Sequence, residues 1–327
     1  MKKKMDSDLE AELKRRALMV TQAIEELVPL VHPRPLYEAS RHLVDAGGKR
    51  LRPSMLLLAG EAAGGDPAMM APAAVSIELV HNFTLIHDDI MDNADVRRGR
   101  PSVHKLWGQS GAILAGDTLY SKAFQVLGIT RAGTEQLLGA MNMLSYTCTE
   151  ICEGQWLDME FEAREQVSEA EYMEMIEKKT GVLYGASAGM GALLAGASPQ
   201  VVSSLDRFGR MTGMGFQLQD DVIDLVTPES VSGKRQGGDL AEAKKTLIMI
   251  HASANGISVP VFGRRDASAE EIKQSIALLE KSGSIEYARS RAEEMVERGK
   301  NALEVLPDTK AKATLLNLAD YMVKRSY

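Results

Sequence analysis

The chain contains 327 residues, and 38 Lys and Arg against 45 Asp and Glu leave a formal charge of −7. With 45% apolar and 25% charged residues, the balance is that of a globular chain able to bury a large core, and it argues against disorder. Net acidity argues against a nucleic-acid binder. Cys148 and Cys152 are too few for a disulfide-stapled secreted scaffold, so a reducing cytoplasm is the expected compartment.

In chain order the pattern predicts helix nearly throughout. Ala, Leu, Met, Glu and Lys dominate, aromatics are 5%, and alternating β-branched runs are scarce. Apolar spacing of three and four predicts a first helix over 6–28, stopped before Pro29, with Pro33 and Pro35 keeping the next segment non-helical. Further helices are predicted over 51–63, 73–92, 111–127, 134–161, 169–196, 199–225, 239–254, 269–281 and 285–303. Breaks fall at Gly64-Gly65-Asp66-Pro67, at Arg98-Gly99-Arg100-Pro101, across 227–238 and at Leu306-Pro307-Asp308. No linker composition divides the chain, so one all-α domain over 1–327 is expected, with the loop at 227–238 long enough to act as a lid.

The uncharged stretches 180–205 and 246–263 are interrupted by glycines, Gln200, His251, Asn255 and Pro260. Neither is the continuous apolar run of about 20 residues that a spanning helix needs. The opening MKKKMDSDLE has no apolar signal-peptide core, so a soluble chain without a membrane span is expected.

One pattern occurs twice. Asp88-Asp89-Ile90-Met91-Asp92 and Asp220-Asp221-Val222-Ile223-Asp224 both read D-D-x-x-D. On a helix the three acids share an arc of about 100°. Carboxylates that close repel one another, and burying them without cations is costly. Divalent metal relieves both problems, and Mg²⁺ takes hard oxygen ligands and completes its shell with water and substrate phosphates. A single cluster could be a solvated acidic helix end. Two clusters, each after an apolar stretch (FTLIH and MTGMGFQLQ), point to metal.

Cations lie around them: Lys49, Arg50 and Arg52 beside Gly47-Gly48, Arg97-Arg98 after the first cluster, Lys178-Lys179-Thr180, Lys234, and Lys244-Lys245. Singly, each reads as ordinary solvated surface. Together with metal-binding carboxylates they describe a diphosphate site, because Arg grips phosphate oxygens bidentately and Lys adds a mobile charge. No G-x-x-x-x-G-K-[ST] loop is present, so nucleotide phosphates are not favoured.

GGKRLRP, LIHDDIMDNADVRRGRPSVH, GDTLYSKAF, EGQWLDMEFE, KKTGVLY, GFQLQDDVIDL and GKRQGGDLAEAKKTL, spread over 47–251, resemble the trans-isoprenyl diphosphate synthases, the farnesyl and geranylgeranyl diphosphate synthase family. The resemblance implies an all-α isoprenoid-synthase-type bundle around a central cavity, normally a homodimer. The implied reaction is head-to-tail condensation of isopentenyl diphosphate with an allylic diphosphate (dimethylallyl, geranyl or farnesyl), releasing diphosphate. It implies about two or three Mg²⁺ ions, bound by Asp88, Asp89 and Asp92 and, from the facing helix, by Asp220 with Asp221 and Asp224 in support. Arg97, Lys179, Lys234 and Lys244 would hold the allylic diphosphate, and Lys49, Arg52, His81 and Arg98 the isopentenyl diphosphate, with Arg50 a neighbour. Thr180 and Gln217 would lie beside the developing allylic cation.

For chain length, the first motif lacks the two-residue insertion of bacterial-type farnesyl synthases, and Phe83 stands five residues before Asp88. That resembles the archaeal type of geranylgeranyl (C20) synthase, in which the ring is the floor of the product cavity. An ideal wheel instead nominates Thr84, only about 40° from Asp88, over Phe83 at about 140°. A farnesyl (C15) product, a terpene cyclase of the same fold and a non-catalytic partner subunit are the competing readings. The intact second motif and the Lys49, Arg52 and His81 set speak against the last two. Arg235, Ala241 and Ala243 depart from the family's usual Pro, Arg and Gly.

Overall fold

The computed structural model describes residues 7–229 and 235–325. Lys234, and with it the middle of the expected lid, lies outside the described residues.

The first helix, α1 (Ser7–Leu27), buries the stripe Leu9, Leu13, Val20 and Ile24. The following segment differs from expectation: α2 (Arg34–Asp45) is helical, with Pro33 as its N-cap and Pro35 in its first turn. A first-turn proline gives up no intrahelical hydrogen bond, so prolines that read as breakers here start a helix. Next come α3 (Leu51–Ala62) and α4 (Ala71–Met91). The predicted break at 98–101 is a small antiparallel ribbon, β1 (Val96–Arg97) and β2 (Arg100–Pro101), pairing Val96 with Pro101.

Beyond it, α5 (Val103–Leu127) starts earlier than expected and kinks at Gly108, where φ is 71°, and α6 spans Thr134–Ala163. The predicted helix 169–196 is interrupted: α7 (Glu169–Ile176) leads through a π-helical turn, Glu177–Gly181, into α8 (Val182–Leu194). Such bulges re-aim side chains at functional positions, and this one carries Lys179 and Thr180. After α9 (Pro199–Val226), the predicted helix 239–254 is two pieces, α10 (Gly238–Ala241) and α11 (Leu247–Ala254), parted at Ala243, where φ is 61°. Finally, α12 (Ala269–Lys281), α13 (Ser284–Asn301) and the unpredicted α14 (Lys310–Lys324) close the fold.

Helices α3, α4 and α8 are apolar nearly all round because they are walled in on all sides. Neighbours α3 and α5 flank α4, while α8 lies among α3, α6 and α9. By length and composition alone the stretch 67–91 could also cross a membrane; in this fold most of it is buried in the core, Met69 and Met91 being exposed. One apolar cluster gathers Ile77, Leu79, Ile86 and Leu119, the other Phe208, Leu218, Leu315 and Leu318, and α3 feeds both, through Leu56 and Leu57 and through Met55 and Leu58. Two glycines set key approaches. A Cβ at Gly191 would stand 2.2 Å from the Leu56 carbonyl oxygen, and one at Gly154 2.3 Å from the Lys179 backbone nitrogen. Small residues there let α8 lie on α3, and α6 lie on the turn that carries Lys179.

Candidate active site

Both aspartate clusters occupy the last turns of long helices, α4 and α9, neither of which carries a basic residue there. The negative end of each helix dipole therefore adds to the carboxylates, which favours cations. Asp92, Arg97, Asp224, Asp239 and Lys244 line one cavity of about 650 Å³, so acids from α4 and α9 face a common space. A narrower cavity of about 120 Å³ shares Asp239 and Lys244 and is walled by Asp158, Tyr172, Lys179, Thr180, Gln217 and Asp221.

The acids are not equivalent. Burial, moderated by Lys179 and reinforced by Asp92, pushes the Asp88 carboxyl up to about 6. Asp89 is 0% exposed and accepts Arg97 Nε at 2.8 Å and Arg97 Nη2 at 2.6 Å on one oxygen, while its other oxygen is buried without a partner. In the second cluster, buried Asp221 accepts the Tyr172 hydroxyl and Gln217 Nε2, the latter at 3.0 Å. Burial and the nearby Asp239 hold its carboxyl well above the usual range. Asp220 is paired with Arg325 from the end of the chain, whose guanidinium lies 3.8 Å over the Phe216 ring. Asp224 accepts the Asp239 backbone N–H at 3.1 Å.

Thr180 donates to Gln217 Oε1 at 3.0 Å, and Gln217 donates on to Asp221, so the three form one relay along the narrow cavity. Lys179 reaches Asp158 at 2.5 Å. Burial opposes its charge, but Asp158 and Asp88 outweigh it and lift the ammonium above its ordinary value. Lys244 sits 3.3 Å from Asp239 and is likewise raised against burial.

A basic cluster lies further back along α4. The Arg52 guanidinium covers the Tyr184 ring at 4.3 Å and comes within 3.5 Å of His81 Nε2. Burial, then Arg52 and Arg98, hold His81 well below its usual pKa, so its ring is neutral at pH 7. Lys49 lies over the Tyr321 ring at 5.6 Å, and Arg98 Nη1 donates to the carbonyls of Leu43 (2.9 Å) and Gly47 (2.6 Å). Arg50 does not join this set: it turns inward to Glu78 and to the Val44 carbonyl.

Phe83 packs edge-on to His87 (4.9 Å) and Tyr120 (5.3 Å) and lines a groove of about 440 Å³ with Tyr120, Cys148, Thr149 and Cys152. The Thr84 hydroxyl donates to the His81 carbonyl at 2.8 Å. Arg235 ties the end of the long loop to the carbonyls of Arg265 (2.7 Å) and Ala267 (2.5 Å).

Sequence reasoning missed Asp158, Tyr172, Asp239 and Arg325. Asp158 and Asp239 stand inside the motifs EGQWLDMEFE and GKRQGGDLAEAKKTL and could have been named from their place beside the lysines. Tyr172 and Arg325 reach the site only through tertiary contact, which no local pattern signals.

The comparisons agree with this geometry. The polyprenyl synthetase family model matches residues 33–279. A geranylgeranyl diphosphate synthase of Methanosarcina mazei is 54% identical, covering 97% of this chain and 98% of its own. A geranylfarnesyl diphosphate synthase of Natronomonas pharaonis is 46% identical, covering 98% of each. Among solved structures, a geranylgeranyl pyrophosphate synthetase from Geoglobus acetivorans superposes with a TM-score of 0.92 at 46% identity, covering 96% of this chain and 99% of its own. With these relatives, the all-α fold with two acid-bearing helix ends over one cavity is that of a prenyl-group transferase. The chain belongs to the polyprenyl synthetase family.

Proposed function

We propose that the protein condenses isopentenyl diphosphate head-to-tail with allylic diphosphates and stops at geranylgeranyl diphosphate (C20). The observation that carries this reading is the shared cavity in which Asp92 of α4 faces Asp224 of α9, with the Lys49, Arg52, His81 and Arg98 pocket behind it. The names of the similar proteins, two geranylgeranyl synthases and one geranylfarnesyl synthase, support a C20 product with C25 as the neighbouring outcome.

The donor set suits Mg²⁺. It is all oxygen and comes from two helix ends whose last acids, Asp92 and Asp224, line one cavity. Asp88, Asp92, Asp220 and Asp224 would hold the ions, about two or three per site, with Asp89 and Asp221 supporting. When bound, Mg²⁺ would neutralise the charge that develops on the departing diphosphate.

This chain's own groups do the rest. Lys179, Lys244 and Arg97 hold the leaving diphosphate as the C–O bond breaks and its electron pair departs. Thr180 and Gln217 present oxygens to the allylic cation that remains. The basic pocket holds the double bond of isopentenyl diphosphate against that cation, a new C–C bond forms, and a proton leaves to the released diphosphate. Close packing keeps water from capturing the cation. Phe83 closes the groove that takes the growing chain.

The enzyme acts as one cytoplasmic helical domain and pairs as a homodimer. Exposed apolar side chains support the pairing: Ile113 and Leu114 on α5, with Leu138, Tyr146 (75% exposed) and Trp156 (70%) on α6. Purified protein incubated with Mg²⁺, isopentenyl diphosphate and each primer should yield C20 diphosphate and require the metal. Absence of any condensation, or full turnover with a chelator, would overturn the reading.

A further inference from the structure

Resting on the reading of Lys49, Arg52, His81 and Arg98 as the isopentenyl diphosphate pocket, we propose that Glu78 and Asn82 are its positioning residues, acting through Arg50 as an internal strut. Arg50 precedes α3 in left-handed backbone, φ 48°, and Arg98 turns the β1–β2 ribbon at φ 52°. Non-glycine residues persist in that region only where their surroundings over-determine them. The surroundings here are one buried polar chain. The Arg50 guanidinium pairs with Glu78 of α4 and donates to the Val44 carbonyl at 2.6 Å. Asn82, one turn further along α4, donates its amide to Glu78 Oε1 and to the Glu78 carbonyl, both at 2.8 Å. That fixes which end of the amide points away, and Asn82 Oδ1 accepts Arg98 Nη1 at 3.3 Å.

The chain Arg50–Glu78–Asn82–Arg98 therefore locks the glycine-rich loop of Lys49 to the ribbon of Arg98 across α4. The loop lies directly on Arg98, since a Cβ at Gly48 would stand 3.4 Å from the Arg98 guanidinium carbon. Glu78 is 1% exposed and Asn82 0%, so neither touches substrate. Glu78 also neutralises Arg50, which leaves the pocket's positive charge on Lys49, Arg52 and Arg98. A buried pair of this kind contributes geometry more than stability.

The test is steady-state kinetics of Asn82→Ala and Glu78→Gln beside the wild type, varying each substrate in turn. The proposal predicts that KM for isopentenyl diphosphate rises about tenfold, while KM for the allylic diphosphate stays within about twofold. Glu78→Gln breaks the ion pair and could unfold; Asn82→Ala leaves it intact, and circular dichroism confirms the fold, with Asn82→Ser as the milder substitute. A folded variant in which both KM values rise together, or only kcat falls, overturns the positioning role. A wild type that condenses nothing overturns the pocket reading instead.

Discussion

The two aspartate clusters share a spelling but not a chemistry. In each, the last acid lines the larger cavity, Asp92 from α4 and Asp224 from α9, while the middle acid, about 100° round the helix, is buried and held by protein groups, Asp221 at the wall of the narrow cavity. The partner differs. Asp89 is held by a cation, Arg97, whereas Asp221 is held by neutral donors, Tyr172 and Gln217. The first arrangement cancels a buried charge; the second tolerates one, and Asp221 responds with a raised pKa. The lesson is that a repeated acidic motif contains two kinds of carboxylate: an inner acid held by protein groups at the helix end and, on the reading proposed above, outer acids for a cation.

Substitutions can break that division of labour. The largest expected effect is on turnover: Asp88→Asn or Asp92→Asn should lower kcat by about 10³-fold, and Asp89→Asn or Asp221→Asn by markedly less. Equal losses across each cluster, measured with both substrates saturating, would erase the distinction between outer and inner acids.

Next comes stability. Arg97→Ala strands a buried carboxylate and should cost about 3–5 kcal/mol, whereas Tyr172→Phe removes one neutral hydrogen bond and should cost about 1–3 kcal/mol. Urea denaturation of both variants reads the difference; equal costs would mean the two anchors are alike.

The clusters differ upstream as well. Five residues before Asp88 stands Phe83; five before Asp220 stands Gly215, where a Cβ would lie 2.9 Å from the Ala292 carbonyl oxygen and from Val296. Of the two helices, only α4 carries an aromatic residue at that position. Phe83→Ala is expected to lengthen the product beyond C20, and Thr84→Ala, whose hydroxyl serves its own helix, to leave it unchanged; chromatography of the products decides between them.

The smallest effect is a control outside the clusters. In the capping boxes Ser168–Glu171 and Ser268–Glu271, hydrogen bonds from the serines lower both glutamates to about 2 from 4.5. A depressed carboxyl stabilises above its unfolded value, and that contribution disappears as pH falls through about 2. Melting temperatures at pH 5 and pH 3 should therefore differ less in the double variant Glu171→Gln, Glu271→Gln than in the wild type.

Much of this was legible in the residues. Helices α1, α3, α4, α6, α9, α12 and α13 follow from apolar spacing, and α1, α3, α4, α9 and α12 end within two residues of Pro29, Gly64, Asp92, Pro228 and Gly283. What was misread had physical causes. Pro33 and Pro35 start α2 because a first turn needs no proline N–H. Ala243 in left-handed backbone splits 239–254, although alanine signals helix. The π-turn at Glu177–Gly181 leaves no trace in an apolar pattern that continues through it. At the site, the motif aspartates and the lysines could be named, but their partners come from other elements: Asp158 from α6, Tyr172 from α7 and Arg325 from beyond α14. Such pairings are decided by packing, and the wheel that places all three acids of a motif on one arc cannot say which of them is buried.

The most direct test is anomalous diffraction from crystals grown with Mn²⁺ in place of Mg²⁺ and an allylic diphosphate analogue. The account predicts metal peaks beside Asp88 and Asp92 and beside Asp220 and Asp224, bridged by the oxygens of one diphosphate. Metal at a single cluster, or two clusters serving separate ligands, would contradict it.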